Sequence, residues 1–300
     1  MAFTLRQLQY FVAVCEEGTV SRAAHARSIS QSAVTEAIKE LEGDLGVLLF
    51  DRHSRGLDIT HKGHQFLRHA KAILAGVQDA RHAFERADDE TSGTLNLGVT
   101  SLVAGYVLSD ILARYRRANP AVEVSAIEDS GEYLEHLLIG GELEVAVMVI
   151  SNLRDRMALQ SEILEVSPYR LWLPLGHKLS NRDSLQLSDL AGEPLIMLMM
   201  DEIEEATDKL LGALGSRPNV AFRTRSVEAV RSLVATGSGI ALLPDLVYRP
   251  WSLEGDRIVS RDISGSLPFV QVGIVWRRGS GLPRAVQDFI AIAQAGRDGR

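Results

Sequence analysis

Three hundred residues at 46% hydrophobic and 24% charged exclude disordered, collagen-like and mucin-like classes, and at roughly 150 residues per domain they suggest about two domains. Lys and Arg number 32 against 39 Asp and Glu, a formal charge of −7, which argues against a protein that coats nucleic acid through bulk positive charge. The single cysteine, Cys15, excludes an intramolecular disulfide and a cysteine-based zinc site. The N-terminal stretch lacks the basic-then-apolar pattern of a signal peptide, and no apolar run reaches the roughly 18 residues of a membrane span. A cytoplasmic location without a membrane partner is therefore expected.

The chain opens with helix signals. Thr4-Leu5-Arg6-Gln7 has the form of a capping box, Leu5, Leu8, Val12 and Cys15 share an apolar face, and Gly18 stops the helix. A short second helix is capped by Thr19 and carries Ala23 and Ala24; a third is capped by Ser30 after a tight turn. On the third, Val34, Ile38, Leu41 and Leu45 face inward. Ser32, Thr35, Glu36 and Lys39 point away at 100° per residue. This is the pattern of a helix-turn-helix. Two short strands at 48–50 and 57–59, bracketing a glycine-bearing turn, read as a β-wing.

Thr60 caps a fourth, long helix predicted to run to about residue 89. Phe66, Ala70, Ile73, Val77, Ala80 and Phe84 are spaced 4, 3, 4, 3, 4, which is a heptad seam. The alternative is an amphipathic helix lying on its own domain. A helix of roughly 45 Å at 1.5 Å per residue is long for a small headpiece to cover, so self-association is the preferred reading. His61 and His64 lie at i, i+3, but no third ligand accompanies them, and a polar helix face is the plainer account.

Beyond Gly93 strands and helices alternate. Strands at 94–99, 122–128 and 145–150 with helices at 102–119 and 132–140 make a βαβαβ unit with a parallel sheet. A second set follows, with strands at 169–174, 195–198, 220–224 and 240–243 and helices at 202–214 and 227–236. The last elements are a strand at 270–276 and a helix at 283–295. No dinucleotide or phosphate loop and no Gly-x-Ser-x-Gly is present, so an enzyme is not expected, nor is a cofactor or metal.

The first 65 residues resemble the DNA-binding headpiece of LysR-type transcriptional regulators. The matching residues are Leu5 to Val14, Ser21-Arg22-Ala23-Ala24, Ser30-Gln31-Ser32-Ala33-Val34-Thr35, Ile38, Leu41-Glu42, Leu45-Gly46, Leu49-Phe50-Asp51-Arg52, and Thr60 with Gly63. Gly141 to Val147, with Glu144 where Asp is usual, and Gly237 to Pro244 resemble elements of that family's effector domain. The resemblance implies three parts. Residues 1–60 are a mainly α winged helix-turn-helix, and 61–90 are a linker and dimerisation helix. Residues 91–300 are a two-lobed α/β effector domain similar to periplasmic solute-binding proteins. Lobe I covers about 91–158 and 268–300, and lobe II about 159–267.

It also implies a homodimer, extending to a homotetramer, on double-stranded DNA with two-fold related half-sites. The DNA contacts expected are Arg22, Ser30, Gln31, Ser32, Thr35, Lys39, Arg52 and Arg55. Gln31 suits bidentate pairing with adenine, Lys39 a phosphate, and Arg55 a wing laid along a narrow minor groove. For Arg52 a structural salt bridge is an equal alternative, and Ser32 and Thr35 could form an ordinary solvated face. A small-molecule effector is expected between the lobes, near Thr100, Ser101, Leu102, Ser130, Met148, Met199 and Asp201. Hydroxyls and free amides after the first strand suit an anion, or simply an N-cap. Asp201 with Glu202, Glu204 and Glu205 adds negative charge, and no Arg stands at these positions. This weakens an aromatic acid and leaves an amine-bearing or neutral effector open. The competing reading is a solute-binding or enzymatic α/β protein with a vestigial headpiece.

Overall fold

The computed structural model describes residues 3–53, 56–82, 93–213 and 219–295. Arg55 and Phe84 fall outside them, as do the side chains of Arg52 and Ala80.

The headpiece is assembled from short helices closed at both ends by their own sequence. Helix α1, Leu5–Glu17, opens on a complete capping box: the Gln7 amide donates to the Thr4 hydroxyl at 3.3 Å and the Thr4 amide to Gln7 Oε1 at 2.7 Å. It closes at Gly18, whose φ of 71° suits a residue without Cβ. Thr19 caps α2, Val20–Ala26, and Ser30 caps α3, Gln31–Leu45. Phe11, Val34, Ile38, Leu41 and Leu49 meet in the core.

Strands β1, Phe50–His53, and β2, Gly56–Ile59, pair antiparallel and form the wing, with Phe50 opposite Ile59. The buried Glu42 ties α3 to it by accepting from the Leu49 amide at 2.8 Å and the Phe50 amide at 3.1 Å. Helix α4, His61–His82, is capped by Thr60, which accepts from the Gly63 amide at 2.9 Å and donates to the Leu48 carbonyl at 2.9 Å. A Cβ at Gly63 would collide with the Leu49 carbonyl oxygen, so glycine is what lets α4 leave the wing at this angle.

The heptad expectation is narrowed by this packing. Ala70 is fully buried in the headpiece core, and Phe66 packs its ring on Phe11 and Phe3 at 5.3 and 5.7 Å. These two positions are occupied within one chain, because α4 lies against α1 and completes its core. Ile73 stays exposed and Val77 half-buried.

The C-terminal half begins with β3, Gly93–Val99, then α5, Ser101–Tyr106, α6, Leu108–Ala118, β4, Val122–Glu128, α7, Gly131–Gly140, and β5, Val145–Val149. Strand β3 pairs in parallel with β4 and β5, as the βαβαβ reading requires. The single helix expected at 102–119 is two, because Val107 leaves helical geometry (φ −123°, ψ −42°). Apolar residues continue across the break, which hides it from periodicity.

Next come β6, Leu159–Pro174, β7, Leu195–Leu198, α8, Glu204–Ala213, β8, Val220–Thr224, α9, Val227–Ala235, and β9, Ala241–Pro244. The chain finishes with β10, Ile258–Arg261, β11, Phe269–Arg277, and α10, Arg284–Ala295. Strand β6 starts ten residues before the segment predicted. Its first half pairs with β11, which also pairs with β5, and its second half with β9 and β10. The change of partner falls between Pro168 and Tyr169, so strand pairing divides the lobes inside β6 rather than at 158/159. Gln160, Ser161, Glu162 and Glu165 give its early part a wet face and a weak apolar signal. The short strand β10 was not anticipated. Trp172, Tyr115 and Phe289 are fully buried in the large shared core.

Candidate functional site

Two polar surfaces concentrate chemistry. On the headpiece, burial of Val34, Ile38 and Leu41 turns Ser32, Glu36 and Lys39 outward on α3. Gln31 begins that helix and donates from Nε2 to the Ser21 hydroxyl at 2.9 Å, which aligns its amide across the α2–α3 turn. Thr35 is half-buried and donates its hydroxyl to the Gln31 carbonyl at 2.9 Å. Ser30 accepts the Ala33 amide at 3.2 Å. Arg22, expected at a phosphate, is exposed and donates its Nε to the Glu17 carbonyl at 2.7 Å and its terminal nitrogen to the same oxygen. That places its charge on the exposed carbonyl end of α1, where cations are favoured. No sequence signal separated this from a phosphate contact.

The second surface is a cavity of about 480 Å³ between the lobes. Thr100, Ser130, Met148 and Asp201 line it as expected. The other candidates stand differently. Ser101 donates its hydroxyl to Glu128 at 2.6 Å. The Leu102 side chain is buried in the core, while its amide donates to Glu202 Oε1 at 3.0 Å. Met199 lines an adjoining cavity of about 160 Å³ with Met197, Leu198, Met200 and Arg225.

The anion expected at the start of α5 is thus supplied by the chain itself, from lobe II. Burial pushes the Glu202 carboxyl above the usual carboxylate range; the Leu102 amide and the nearby Thr100 hydroxyl oppose the shift, and Glu128 and Asp201 add to it. Thr100 stands beside this carboxylate and is buried, yet its hydroxyl has no well-formed hydrogen bond, and neither has Glu202 Oε2. The Thr100 side chain does not cap α5, so the plain N-cap alternative does not apply.

Sequence reasoning missed several cavity residues. Asn152 donates to the Glu202 carbonyl at 3.1 Å and links the lobes. Buried Glu135 accepts from the Arg154 and Asp155 amides at 3.1 to 3.2 Å. Arg154 supplies a cation where none was expected, but Glu132 holds it at 2.7 Å. These residues belong to a helix and a loop distant in sequence, with no motif to join them.

A third polar cluster lies where α4 packs on α7. Lys71 Nζ, in a side chain only 10% exposed, is 2.7 Å from Glu142 Oε1, 3.1 Å from Glu16 Oε1 and 3.5 Å from His136 Nε2. Burial alone would lower the lysine pKa; hydrogen bonds to the two carboxylates override it, and the net shift is upward. Burial and the Lys71 charge push His136 below the usual histidine value.

Residues 5–64 match the family model for the bacterial regulatory helix-turn-helix protein of the lysR family, and residues 88–297 match that for the LysR substrate binding domain. The chain belongs to the LysR family. This LysR-family protein is a DNA-binding transcriptional regulator with an effector-binding C-terminal domain. It is 31% identical over 281 residues to a hydrogen peroxide-inducible genes activator of Pectobacterium carotovorum subsp. carotovorum, covering 93% of this chain and 91% of that one. HinK, a LysR family transcriptional regulator of Pseudomonas aeruginosa, is 27% identical with a TM-score of 0.62, covering 98% of each chain. A full-length OxyR variant from Pseudomonas aeruginosa, 23% identical, agrees in fold with a TM-score of 0.71 over 98% of each chain. The vestigial-headpiece alternative has no support from these matches, which span both halves of this LysR-family regulator.

Proposed function

We propose that the regulator reads DNA with the outer face of α3 and responds to a small molecule held between its lobes. The observation that supports the reading is the orientation of α3. Its apolar stripe is buried, while Gln31, Ser32 and Lys39 are exposed at the N-terminal end and outer face, the part of a recognition helix that meets base edges and phosphates. Gln31 specifies with its amide held by Ser21, Lys39 and Ser32 position, and Thr35 and Arg22 flank them on the same surface. Two copies engage two-fold related half-sites, with Ile73 and Val77 of α4 toward the partner. Glu36 on the same face and the nearly balanced charge of residues 18–73, eight Lys and Arg against six Asp and Glu, keep non-specific affinity low. Engagement of both half-sites supplies the rest.

The regulator acts in the cytoplasm, and among the described residues no helix is long and apolar enough to cross a membrane. Cys15 is the only cysteine, it lies in the headpiece, and burial pushes its thiol up to about 12, which suppresses the reactive thiolate.

Gel-shift titrations on the DNA flanking its own gene test the readout. Gln31→Ala should cost about 1–3 kcal/mol of discrimination at one base position. Lys39→Ala should weaken binding on all sequences and flatten the salt dependence. Undiminished discrimination in the Gln31 variant would refute the assignment.

A further inference from the structure

The inter-lobe cavity is built to refuse an organic anion. Six of its lining side chains are carboxylates, against the single cation Arg154. That cation is held by Glu132 at 2.7 Å. Glu135 is satisfied by backbone amides, and Glu205 by Lys209 at 2.6 Å. The charge that faces the open space therefore comes from Asp201, Glu202 and Glu204. Among the described residues Asp201 has a distant partner, Arg225 at 3.9 Å, and that pair is mostly exposed to water.

Glu202 carries the argument further. It enters from lobe II and takes the Leu102 amide at 3.0 Å, the donor that an incoming carboxylate would need. An anionic effector would have to expel Glu202 and leave it charged, part-buried and unpaired. The two oxygens left over point to what the site lacks. Glu202 Oε2 and the hydroxyl of Thr100, a residue 1% exposed, lie in the same wall; the hydroxyl stands close enough to hold the Glu202 pKa down, yet neither oxygen has a well-formed hydrogen bond. Such atoms in native proteins are almost always satisfied. An ammonium group brings three donors and no acceptor, so one group could satisfy both oxygens and offset the surplus charge. Beside Asp201 and Glu204 the smaller cavity lined by Met197, Leu198, Met199 and Met200 offers an adaptable apolar wall for methylene groups. Together the two cavities have the scale of a small-molecule site.

We propose that the effector is an aliphatic primary amine, bound with its ammonium between Thr100 and the carboxylates of Glu202 and Glu204 and its carbon chain against the methionine wall. This rests on reading the inter-lobe cavity as the effector site. Calorimetric and thermal-shift titration of the full chain with n-butylamine, 1,4-diaminobutane and butanedioate tests it. Wild type is compared with Glu204→Gln, an exposed position where folding is not at stake, with Thr100→Val, and with Asn152→Trp, which fills the cavity. An amine should bind and raise the melting temperature, with affinity reduced at least tenfold by Glu204→Gln and by Thr100→Val and lost in Asn152→Trp. Butanedioate should not bind. Three results would overturn the proposal: no binding by either amine, amine binding unchanged in the Glu204 and Thr100 variants, or butanedioate binding in their place. Butanedioate binding abolished by Asn152→Trp would overturn the ligand class and leave the effector site standing; ligand binding indifferent to Asn152→Trp would remove the site itself.

Discussion

The headpiece and the effector half solve opposite problems with the same polar residue types. In the headpiece polar side chains point out, and the core behind them is small and made of neighbours in sequence: Phe11 on α1, Val34 and Ile38 on α3, Leu49 before the wing. In the effector half the decisive polar groups point inward, and they come from distant segments. Thr100 follows β3, Glu132 and Glu135 sit on α7, Asn152 follows β5, and Glu202 precedes α8. A surface that reads DNA needs only a rigid helix with its face exposed. A cavity that selects a ligand needs walls from two lobes, and its electrostatics exist only once those walls meet.

The contrast predicts that damage stays local unless it strikes the α4–α7 junction. Phe11→Ala should have the largest effect, about 3–5 kcal/mol from the cavity and lost burial. In calorimetry the headpiece transition should fall while ligand binding by the effector half persists; loss of both together would mean that the halves fold as one unit. Glu42→Ala should come next. It leaves the Leu49 and Phe50 amides without their acceptor, at about 1–3 kcal/mol, and specific DNA binding should weaken with it.

Lys71→Met should be milder. Its partners Glu16 and Glu142 are half exposed and can turn to water, so about 1 kcal/mol is expected. The informative result is elsewhere: the effector-dependent change in DNA affinity should shrink, as read by gel shift with and without ligand. An unchanged response would show that the junction carries no coupling.

The smallest expected effect is a pH slope. The His136 pKa is lowered in the folded state by burial and by the Lys71 charge, so the unfolded chain binds the proton more readily. Stability is then fully present above the ordinary histidine value of 6.5 and declines as pH falls through the lower folded value. His136→Gln should flatten chemical-denaturation midpoints across that window. In Lys71→Met the histidine should titrate closer to its ordinary value by NMR.

The headpiece was legible because its determinants are local. Thr4 with Gln7, Thr19, Ser30, Gly18 and Thr60 act within one helical turn, and their spacing alone predicts where each helix starts or stops. The same holds for the parallel order of β3, β4 and β5, which follows from alternation and short crossovers. Where an outcome depended on a neighbour brought from elsewhere, sequence reasoning failed in definite ways. For Arg22 nothing in its neighbours shows that it reaches back to the Glu17 carbonyl, a contact the phosphate expectation did not include. Phe66 and Ala70 belong to a heptad pattern that serves a partner helix or the chain's own core equally well, and only packing against Phe3 and Phe11 decided between them. The amides after β3 promised an anion site, and Glu202, a hundred residues onward from Leu102, closes it. By itself the sequence determined the family, the capped helices and the outward face of α3, because these follow from rules acting over three or four residues. The tertiary structure alone decided which charges are paired and which oxygens are orphaned, because pairing depends on distances between segments that no local rule sets.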